Sequence, residues 1–310
     1  MRVLVTGAAG YLGSVLTGAL LDEGHEVLAV DSFIYRQTSL LERCADKRLS
    51  VIRGDARDKE LLTGLVRQAD AIFPLACLTG APLCSKDPIG ARTVNLEAIE
   101  MLLGLRSSSQ PIIFPTTNSG YGVGQADRHC TEETPLRPVS LYGRLKVDIE
   151  QKLLDAGNVI TFRFATLFGA SPRMRMDLLV NDFVYRAVTD RFIVLFEAHF
   201  KRNYLHVRDG ARAFLHGLKN FAVMAGRPYN VGLSDANISK WELCEEIRKQ
   251  VSEFYFAEEP LAKDPDQRNY IVSNERIEAT GYRTMFGLSD GIAELIKAYK
   301  IVRPNQYSNV

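Results

Sequence analysis

Short apolar runs rich in valine and isoleucine recur through the first half of the 310-residue chain, separated by stretches with helical periodicity. Runs of this length are typical of strands that are buried on both faces of a sheet. In residues 11–21, apolar side chains repeat three and four positions apart and Gly24 follows the segment, which predicts a helix. The predicted strands are residues 2–6, 25–30, 49–54, 70–76, 111–115 and 158–164. This alternation predicts an α/β fold with a doubly wound parallel sheet.

The composition argues against several classes of partner. With 46% hydrophobic and 24% charged residues and a formal net charge of +1, the chain has neither the basic excess of a nucleic-acid-binding protein nor the profile of a disordered one. Residues 3–21 carry no charge, but four glycines and three hydroxyl side chains make them too polar for a membrane span. The five cysteines lack paired spacing and the five histidines lack metal-ligand spacing. We expect a cytoplasmic protein without a metal site, whose partners are small molecules or other subunits.

Three glycines lie three residues apart between the first predicted strand and the first predicted helix, in the sequence VTGAAGYLGS (residues 5–14). Gly7 permits a tight turn, Gly10 allows a pyrophosphate to approach the backbone, and Gly13 allows the helix to pack closely on the sheet. The helix N-terminus offers free N–H groups and a partial positive charge to the phosphates. Because the glycines follow a strand and open a helix, they predict a dinucleotide site of Rossmann type rather than a plain turn.

An acidic residue ends the second predicted strand. Asp31 lies about 20 residues beyond the glycine loop, where a carboxylate accepts the adenosine 2'-hydroxyl and repels a 2'-phosphate. This favours NAD over NADP, although Arg36 nearby leaves NADP open, and a helix-capping role for Asp31 is the alternative. We therefore predict an NAD-binding Rossmann domain over residues 1–170. Residues 171–310, with helical pieces and loops richer in arginine, proline and aspartate, are predicted to form a smaller C-terminal substrate-binding lobe, some of whose segments return to the first domain.

Five motifs in order give the chain a resemblance over essentially its full length to the extended short-chain dehydrogenase/reductase family, which acts on nucleotide sugars. They are TGAAGYLG (6–13), GDARD (54–58), PLAC (74–77), PTTNSGYG (115–122) and SLYGRLK (140–146). The resemblance implies further cofactor contacts at Tyr11, Leu12, Asp55, Ala56, Leu75 and Ala76. It also implies NAD as cofactor and a nucleotide-diphosphate sugar as substrate.

Tyr142 and Lys146 are four residues apart, which places both on one face of a helix. To act as a base near neutral pH, Tyr142 needs its pKa lowered by roughly three units. One ammonium at about 4 Å, in a medium of effective dielectric near 20, supplies roughly that much, and the charge of the nicotinamide ring adds to it. An isolated pair with this spacing is more often a solvated helix edge, so the family motif carries the assignment. The resemblance also implies that Lys146 binds the nicotinamide ribose.

Thr117 follows the predicted strand 111–115, at the edge of the sheet where doubly wound folds bind ligands. The resemblance implies that its hydroxyl holds the sugar hydroxyl while Tyr142 takes the proton and the C4 hydride passes to nicotinamide; Thr116 is the adjacent alternative. Relatives that dehydrate the sugar have Asp and Glu where this chain has Asn118 and Ser119. Because an amide cannot titrate, 4,6-dehydration is disfavoured. What remains is 4-epimerisation, or net formation of a 4-keto sugar with NADH discharged to another acceptor such as a 2-oxo acid.

The substrate end is predicted by resemblance alone. Arg202 matches a residue that grips the nucleotide diphosphate, Asn181 matches a phosphate contact, and Arg268 is a weaker phosphate candidate. Asn118 and Thr166 complete the predicted substrate contacts, and Thr166 stands where many 4-epimerases have Asn. Within the family the chain looks most like a branch that oxidises GDP-linked manno-heptose at C4 for capsule polysaccharide, a resemblance carried by the segments TTNSGYG (116–122), GASPRMRMDLL (169–179) and HFKRNYLHVRD (199–209). A catalytically silent NAD-sensing protein on the same fold is the alternative from another class.

The resemblance also implies a homodimer. Family members usually pair through helices that correspond to residues 90–105 and 140–156. The apolar residues available there serve either this interface or the sheet, and the sequence leaves both open: Val94, Ile99, Leu102, Val147 and Leu154.

Overall fold

The computed structural model describes residues 1–124, 128–259 and 268–302. Within these ranges the strands are β1 (Arg2–Thr6), β2 (Glu26–Asp31), β3 (Leu49–Arg53), β4 (Ala71–Pro74), β5 (Ile112–Thr117), β6 (His129–Cys130), β7 (Val159–Phe164), β8 (Thr166–Phe168), β9 (Phe192–Leu195), β10 (Lys201–His206), β11 (Arg227–Val231), β12 (Asn237–Ser239), β13 (Tyr255–Glu258) and β14 (Ile271–Val272). The α-helices are α1 (Tyr11–Asp22), α2 (Lys59–Val66), α3 (Ala81–Lys86), α4 (Pro88–Arg92), α5 (Ala98–Leu105), α6 (Leu141–Asp155), α7 (Leu179–Thr189), α8 (Val207–Lys219), α9 (Phe221–Met224), α10 (Lys240–Arg248), α11 (Glu275–Glu278) and α12 (Leu288–Ala298). A π-helical turn (Thr93–Glu97) joins α4 to α5, and 3₁₀ turns span Leu41–Arg43 and Asn118–Tyr121.

The main sheet is parallel, with strand order β11-β7-β5-β4-β1-β2-β3 in the described part of the chain. Residues Val3 to Val5 of the inner strand β1 are fully buried, as expected for a strand covered on both faces. The order reverses between β1 and β4, which opens a crevice at the carboxyl ends of these strands. The prediction of a doubly wound Rossmann-type α/β fold is confirmed, and each of the six predicted strands lies within two residues of its observed bounds.

Two layers of helix cover this sheet. On one face, α1 and α8 pack through buried side chains such as Leu16, Leu20 and Phe214. On the other, α2, α5 and α6 bury side chains such as Leu62 and Ile149. Each fully buried leucine or isoleucine contributes about 1.5–3 kcal/mol of transfer free energy, so these layers hold the sheet and fix the crevice between them.

The chain beyond residue 170 contributes to two regions. One is a three-stranded sheet, in the order β12-β10-β8, packed with α7, α10 and α12 around a core that includes Val184, Leu243 and Ile292. The other is the main sheet itself, because β11 pairs with β7 and α8 packs on α1. Residues after 170 therefore return to the Rossmann core while they also form the neighbouring lobe.

The uncharged stretch 3–21 lies inside this fold as β1 and most of α1. In the described ranges, no helix combines the length and the apolar composition that crossing a bilayer would need. The stretch is apolar because β1 and the inner face of α1 are core elements.

In the two helices predicted to form a dimer interface, some apolar residues belong to the core of the chain and others are only partly buried. Ile99 and Leu102 are 2% and 1% exposed within the chain's own core. Val94, Val147 and Leu154 are only partly buried. If a second subunit packs here, these three side chains are the ones available to it.

Candidate active site

The glycine loop has the shape of a phosphate cradle. Gly7 has φ +69°, and a Cβ there would lie 2.7 Å from the amide nitrogen of Ala76. A Cβ on Gly13 would overlap the carbonyl oxygen of Gly7, and one on Gly10 would lie 3.1 Å from the same oxygen. Gly10 is the N-cap of α1 and offers no side-chain hydrogen bond, and the first turn contains no acidic residue. The helix N-terminus is thus left free for an anionic ligand, and these residues fit a dinucleotide pyrophosphate.

Asp31 is anchored to this loop. It is the last residue of β2 and is 8% exposed, and its carboxylate accepts hydrogen bonds from the backbone N–H of Ala9 (2.9 Å) and of Phe33 (2.8 Å). The Gln37 side-chain amide donates a third bond at 3.1 Å, and its buried Oε1 has no partner among the described residues. Asp31 does not cap a helix, and its position beside the glycine loop suits the predicted ribose contact. Gln37 was not predicted, because nothing in the local sequence marks a glutamine in that loop.

The remaining predicted cofactor residues lie in two regions, one beside the glycine loop and one after β3. The backbone N–H of Leu75 donates to the carbonyl oxygen of Thr6 at 2.9 Å, and that of Ala76 donates to the Thr6 hydroxyl at 3.3 Å, so both lie against the glycine loop. Asp55, followed by the partly buried Ala56, lies beyond β3, where its carboxylate bonds the guanidinium of Arg57 at 2.6 Å. The hydrogen bonds from Arg57 lower the pKa of Asp55. The predicted adenine contact of Asp55 and Ala56 stays a prediction.

The structure separates the two candidate threonines of β5. The Thr116 hydroxyl is buried and donates to the carboxylate of Glu150 in α6 at 2.7 Å. The Thr117 hydroxyl donates to the hydroxyl of Ser119 at 2.9 Å and accepts the Ser119 backbone N–H at 3.1 Å. Because successive side chains of a strand point to opposite faces, only one of the two can face the crevice. Thr116 is committed to Glu150, so Thr117 is the candidate that remains.

Lys146 is 4% exposed on α6, and its ammonium is held against β5. Its Nζ donates to the carbonyl oxygen of Pro115 at 2.9 Å and lies 4.3 Å from the centroid of the Phe114 ring. An ammonium has three N–H donors, and Pro115 is the one acceptor that Lys146 meets among the described residues, which leaves two donors for a ligand. The side chain is therefore fixed close to Thr117 with donors to spare, as a ribose contact requires.

Burial raises the pKa of Tyr142 in the chain by itself, while the positive charges of Arg175 and Arg268 lower it. In the chain without a cofactor, removing the phenolate from water outweighs the nearby cations. The lowering of this pKa by Lys146 and the charge of bound NAD stays a prediction.

Arg175 is a second residue, after Gln37, that the sequence did not reveal. It is 8% exposed, and its guanidinium pairs with Asp177, with Nε 3.1 Å from Oδ1. Its carbonyl oxygen accepts a hydrogen bond from Asn181 at 2.7 Å. The residue lies within the segment GASPRMRMDLL (169–179), which carried the resemblance to one branch, but an arginine next to an aspartate reads equally well as a surface ion pair.

Asn181 is better explained as a positioning residue than as a contact to substrate phosphate. It is fully buried, its Oδ1 accepts the backbone N–H of Gly169 at 3.0 Å, and its Nδ2 donates to Arg175 and, at 3.3 Å, to the hydroxyl of Tyr11. Tyr11 in turn donates to the carbonyl oxygen of Gly169 at 2.7 Å. The amide is thus occupied by protein groups, and it ties the loop after β8 to α1. Leu12, the next residue of α1, packs against the core of the main sheet, so only its backbone suits the predicted cofactor contact.

Two arginines of the later half of the chain approach the Thr117–Ser119 pair. The guanidinium of Arg268 donates to the hydroxyl of Ser119, and that of Arg202 donates to the carbonyl oxygen of Arg268. Arg202 is 4% exposed. Arg268, the weaker candidate by sequence, therefore lies directly beside the Thr117–Ser119 pair. Thr166 begins β8, in register with Tyr204 of β10.

Together these features define the class of protein, a Rossmann-type fold whose glycine loop fits a dinucleotide. The chain belongs to the NAD dependent epimerase/dehydratase family, whose model matches residues 3–232.

Over 96% of its length, the chain is 26% identical to a UDP-glucose 4-epimerase of Streptococcus mutans and covers 95% of that relative. It is 27% identical to a dTDP-glucose 4,6-dehydratase of an Actinoplanes species, with 98% of this chain and 99% of the relative covered. Its fold matches the crystal structure of Thermus thermophilus UDP-glucose 4-epimerase in complex with NAD, with a TM-score of 0.83, 25% identity, and coverage of 98% of this chain and 100% of that one. The chain is thus an NAD-dependent enzyme of the nucleotide-sugar epimerase and dehydratase class.

Proposed function

We propose that this enzyme oxidises the C4 hydroxyl of a nucleotide-linked sugar to a 4-keto sugar. One observation carries the proposal: the ammonium of Lys146 is held at the carbonyl oxygen of Pro115 in β5, the strand that ends at Thr117, and Tyr142 lies one turn before Lys146 on α6. The positions after the threonine are the non-titrating Asn118 and Ser119. Removal of water across C5 and C6 needs a second acid and base, which these two residues cannot supply.

Each residue has a distinct role in this proposal. Thr117 and Ser119 hold the reacting hydroxyl, and Tyr142 accepts its proton. The two free donors of Lys146 bind the ribose of the cofactor. When bound, NAD supplies the hydride acceptor and a positive charge. In this proposal Arg202 and Arg268 receive the negative charge of the nucleotide diphosphate, because a guanidinium matches phosphate oxygens with paired donors.

More specifically, the proposed substrate is a GDP-linked manno-heptose, used in the synthesis of capsule or other surface polysaccharide. The enzyme releases the 4-keto product, and another acceptor such as a 2-oxo acid reoxidises the NADH. The chain is proposed to act as a homodimer. The support for the sugar is the sequence resemblance in the segments that build the substrate side, GASPRMRMDLL and HFKRNYLHVRD.

The second candidate is 4-epimerisation, in which the hydride returns to the opposite face of the same sugar. The similarity to UDP-glucose 4-epimerases along nearly the whole chain favours it. The two candidates share the first step and differ in what is released.

Purified enzyme incubated with NAD and, in turn, GDP-manno-heptose, GDP-mannose and UDP-glucose distinguishes them. A ketone in the product by NMR, with NADH formed in equal amount, supports net dehydrogenation, whereas an inverted C4 hydroxyl without NADH supports epimerisation. In both cases Tyr142→Phe is expected to lower turnover by roughly 10²–10⁴-fold while NAD affinity stays within twofold. Equal turnover in the variant would remove Tyr142 from the mechanism, and absence of turnover with every sugar, despite NAD binding, would favour an NAD-sensing protein.

A further inference from the structure

Asn118 is a buried amide whose hydrogen bonds are not made within the protein. It is the first residue of the 3₁₀ turn that follows β5, and it is 1% exposed. Neither its Nδ2 nor its Oδ1 has a partner among the described residues. An amide taken from water without replacement bonds destabilises the folded state, and such groups are rare in native proteins. The two missing bonds therefore need an explanation.

Other buried asparagines of this chain show what a structural role looks like. Asn95 is also 1% exposed, but its Oδ1 accepts the backbone N–H of Leu78 at 2.8 Å and its Nδ2 donates to the carbonyl oxygen of Leu78 at 2.9 Å. Asn181 is satisfied in the same way. Asn203 and Asn274 each lack a partner only for Oδ1. Asn118 alone among these lacks both, and it is the one that lies between Thr117 and Ser119.

We infer that Asn118 is a specificity-determining residue that hydrogen-bonds the C6 hydroxyl of the substrate sugar and so selects neutral sugars over uronic acids. The inference rests on the proposed function, because it takes Thr117 as the residue that holds the reacting hydroxyl. A hydroxyl both donates and accepts, so it can satisfy Oδ1 and Nδ2 together. An ionised carboxylate only accepts, so it would leave Oδ1 unpaired and facing another oxygen. Sites with buried polar groups reject ligands that leave those groups unpaired more strongly than apolar pockets do.

Three variants of the full chain test this inference. Asn118→Leu keeps the size of the side chain and removes both polar atoms, whereas Asn118→Asp keeps the shape and leaves only acceptors. Thr161→Val is the matched control, because the Thr161 hydroxyl is also buried without a partner among the described residues but lies in β7. Affinity is measured by calorimetry on NAD-loaded protein, with UDP-glucose against UDP-glucuronic acid, GDP-mannose against GDP-mannuronic acid, and UDP or GDP alone. Melting temperature is measured on the same samples without sugar.

The wild type is expected to bind each neutral sugar at least tenfold more tightly than its uronic acid. Asn118→Leu should weaken binding of the neutral sugar by roughly tenfold, abolish the preference and leave the affinity for the nucleoside diphosphate unchanged. Because it removes an unsatisfied buried group, Asn118→Leu should also raise the melting temperature by about 2 °C. Thr161→Val should raise the melting temperature similarly and leave every affinity unchanged. Asn118→Asp should weaken binding of both sugars of each pair.

A melting temperature lowered by Asn118→Leu, with the preference intact, would assign the amide to structure and overturn the inference. So would a wild type that prefers the uronic acids. Failure of the proposed function has a different signature. If no 4-keto or epimerised sugar forms but the preference exists and is lost in Asn118→Leu, the inference stands without that function. If turnover occurs and Asn118→Leu leaves the preference unchanged, only the inference fails.

Discussion

Replacement of Glu150 by glutamine removes one charge from a buried ion pair that contacts β5 through Thr116. The Glu150 carboxylate lies 2.6 Å from Nη2 of Arg163 and accepts the Thr116 hydroxyl at 2.7 Å, and the two charged side chains are only 4% and 7% exposed. Without this anion, the guanidinium keeps the hydroxyl of Tyr121 at 3.1 Å and the carbonyl oxygen of Glu132 at 3.0 Å, both of which are neutral. An uncompensated buried charge of this kind destabilises a protein by about 3–5 kcal/mol.

Urea unfolding of the NAD-free protein measures this loss, and a shift of roughly 10 °C in melting temperature should accompany it. Glu26→Gln is the matched control, since Glu26 pairs with Arg2 at the surface with side chains about half exposed, and it should cost less than about 1 kcal/mol. The double variant Glu150→Met with Arg163→Met should lose less stability than Glu150→Gln alone, because no charge is then left unpaired. A loss of unfolding free energy below about 1 kcal/mol in Glu150→Gln would refute the reasoning. So would a double variant whose loss equals the sum of the losses measured for Glu150→Met and Arg163→Met alone.

Two further predictions concern the cofactor site. Lys146→Met should raise the Kd for NAD by roughly 10–100-fold, because it removes charge-assisted hydrogen bonds to the ribose. The melting temperature of the protein without NAD should not fall. Calorimetry measures the Kd and thermal unfolding the melting temperature, and an unchanged Kd would contradict the assignment of Lys146 to the ribose. Gly13→Ala should abolish NAD binding and cost about 3 kcal/mol or more, because its Cβ overlaps the backbone of Gly7. The control Gly104→Ala, in α5 with nothing within 4 Å of the added Cβ, should gain up to about 1 kcal/mol.

The main sheet was predictable because strands buried on both faces leave a local signal. Val3 to Val5 are apolar at every position, and a glycine at Gly7 or Gly13 is required by contacts within the same short segment. Strands of the later half lack this signal. β10, with sequence KRNYLH, begins with three polar residues, yet all of its residues after the first are buried because the strand lies between β8 and β12. Its place in a sheet follows from tertiary packing, which a local pattern does not encode.

The same distinction applies to the site. Thr116 and Thr117 are equivalent in sequence, and only the bond from Thr116 to Glu150, 34 residues away, tells them apart. Asn181 matched a substrate contact by position, yet its amide is consumed by groups that include Tyr11, 170 residues earlier. Residue type and spacing therefore indicate which reaction a site could perform. Which of two similar residues takes part depends on hydrogen-bond partners that are distant in the sequence.

Arg175 offers a test of how Tyr142 becomes a base. To take the proton from a sugar hydroxyl, the phenol must itself be deprotonated, so oxidation should speed up as pH rises through the pKa of Tyr142. Burial raises that pKa and the charge of Arg175 lowers it. Arg175→Met should therefore move the midpoint of the pH profile of kcat/KM to higher pH, by about one unit if the charge acts across roughly 10 Å at an effective dielectric near 20. Arg175→Lys, which keeps the charge, should restore most of the shift, and Arg186→Met, at a surface ion pair of α7, should leave the midpoint unchanged. If Arg175→Met lowers kcat equally at every pH without moving the midpoint, then Arg175 only positions its neighbours, and the cofactor's own charge and Arg268 must ionise the phenol.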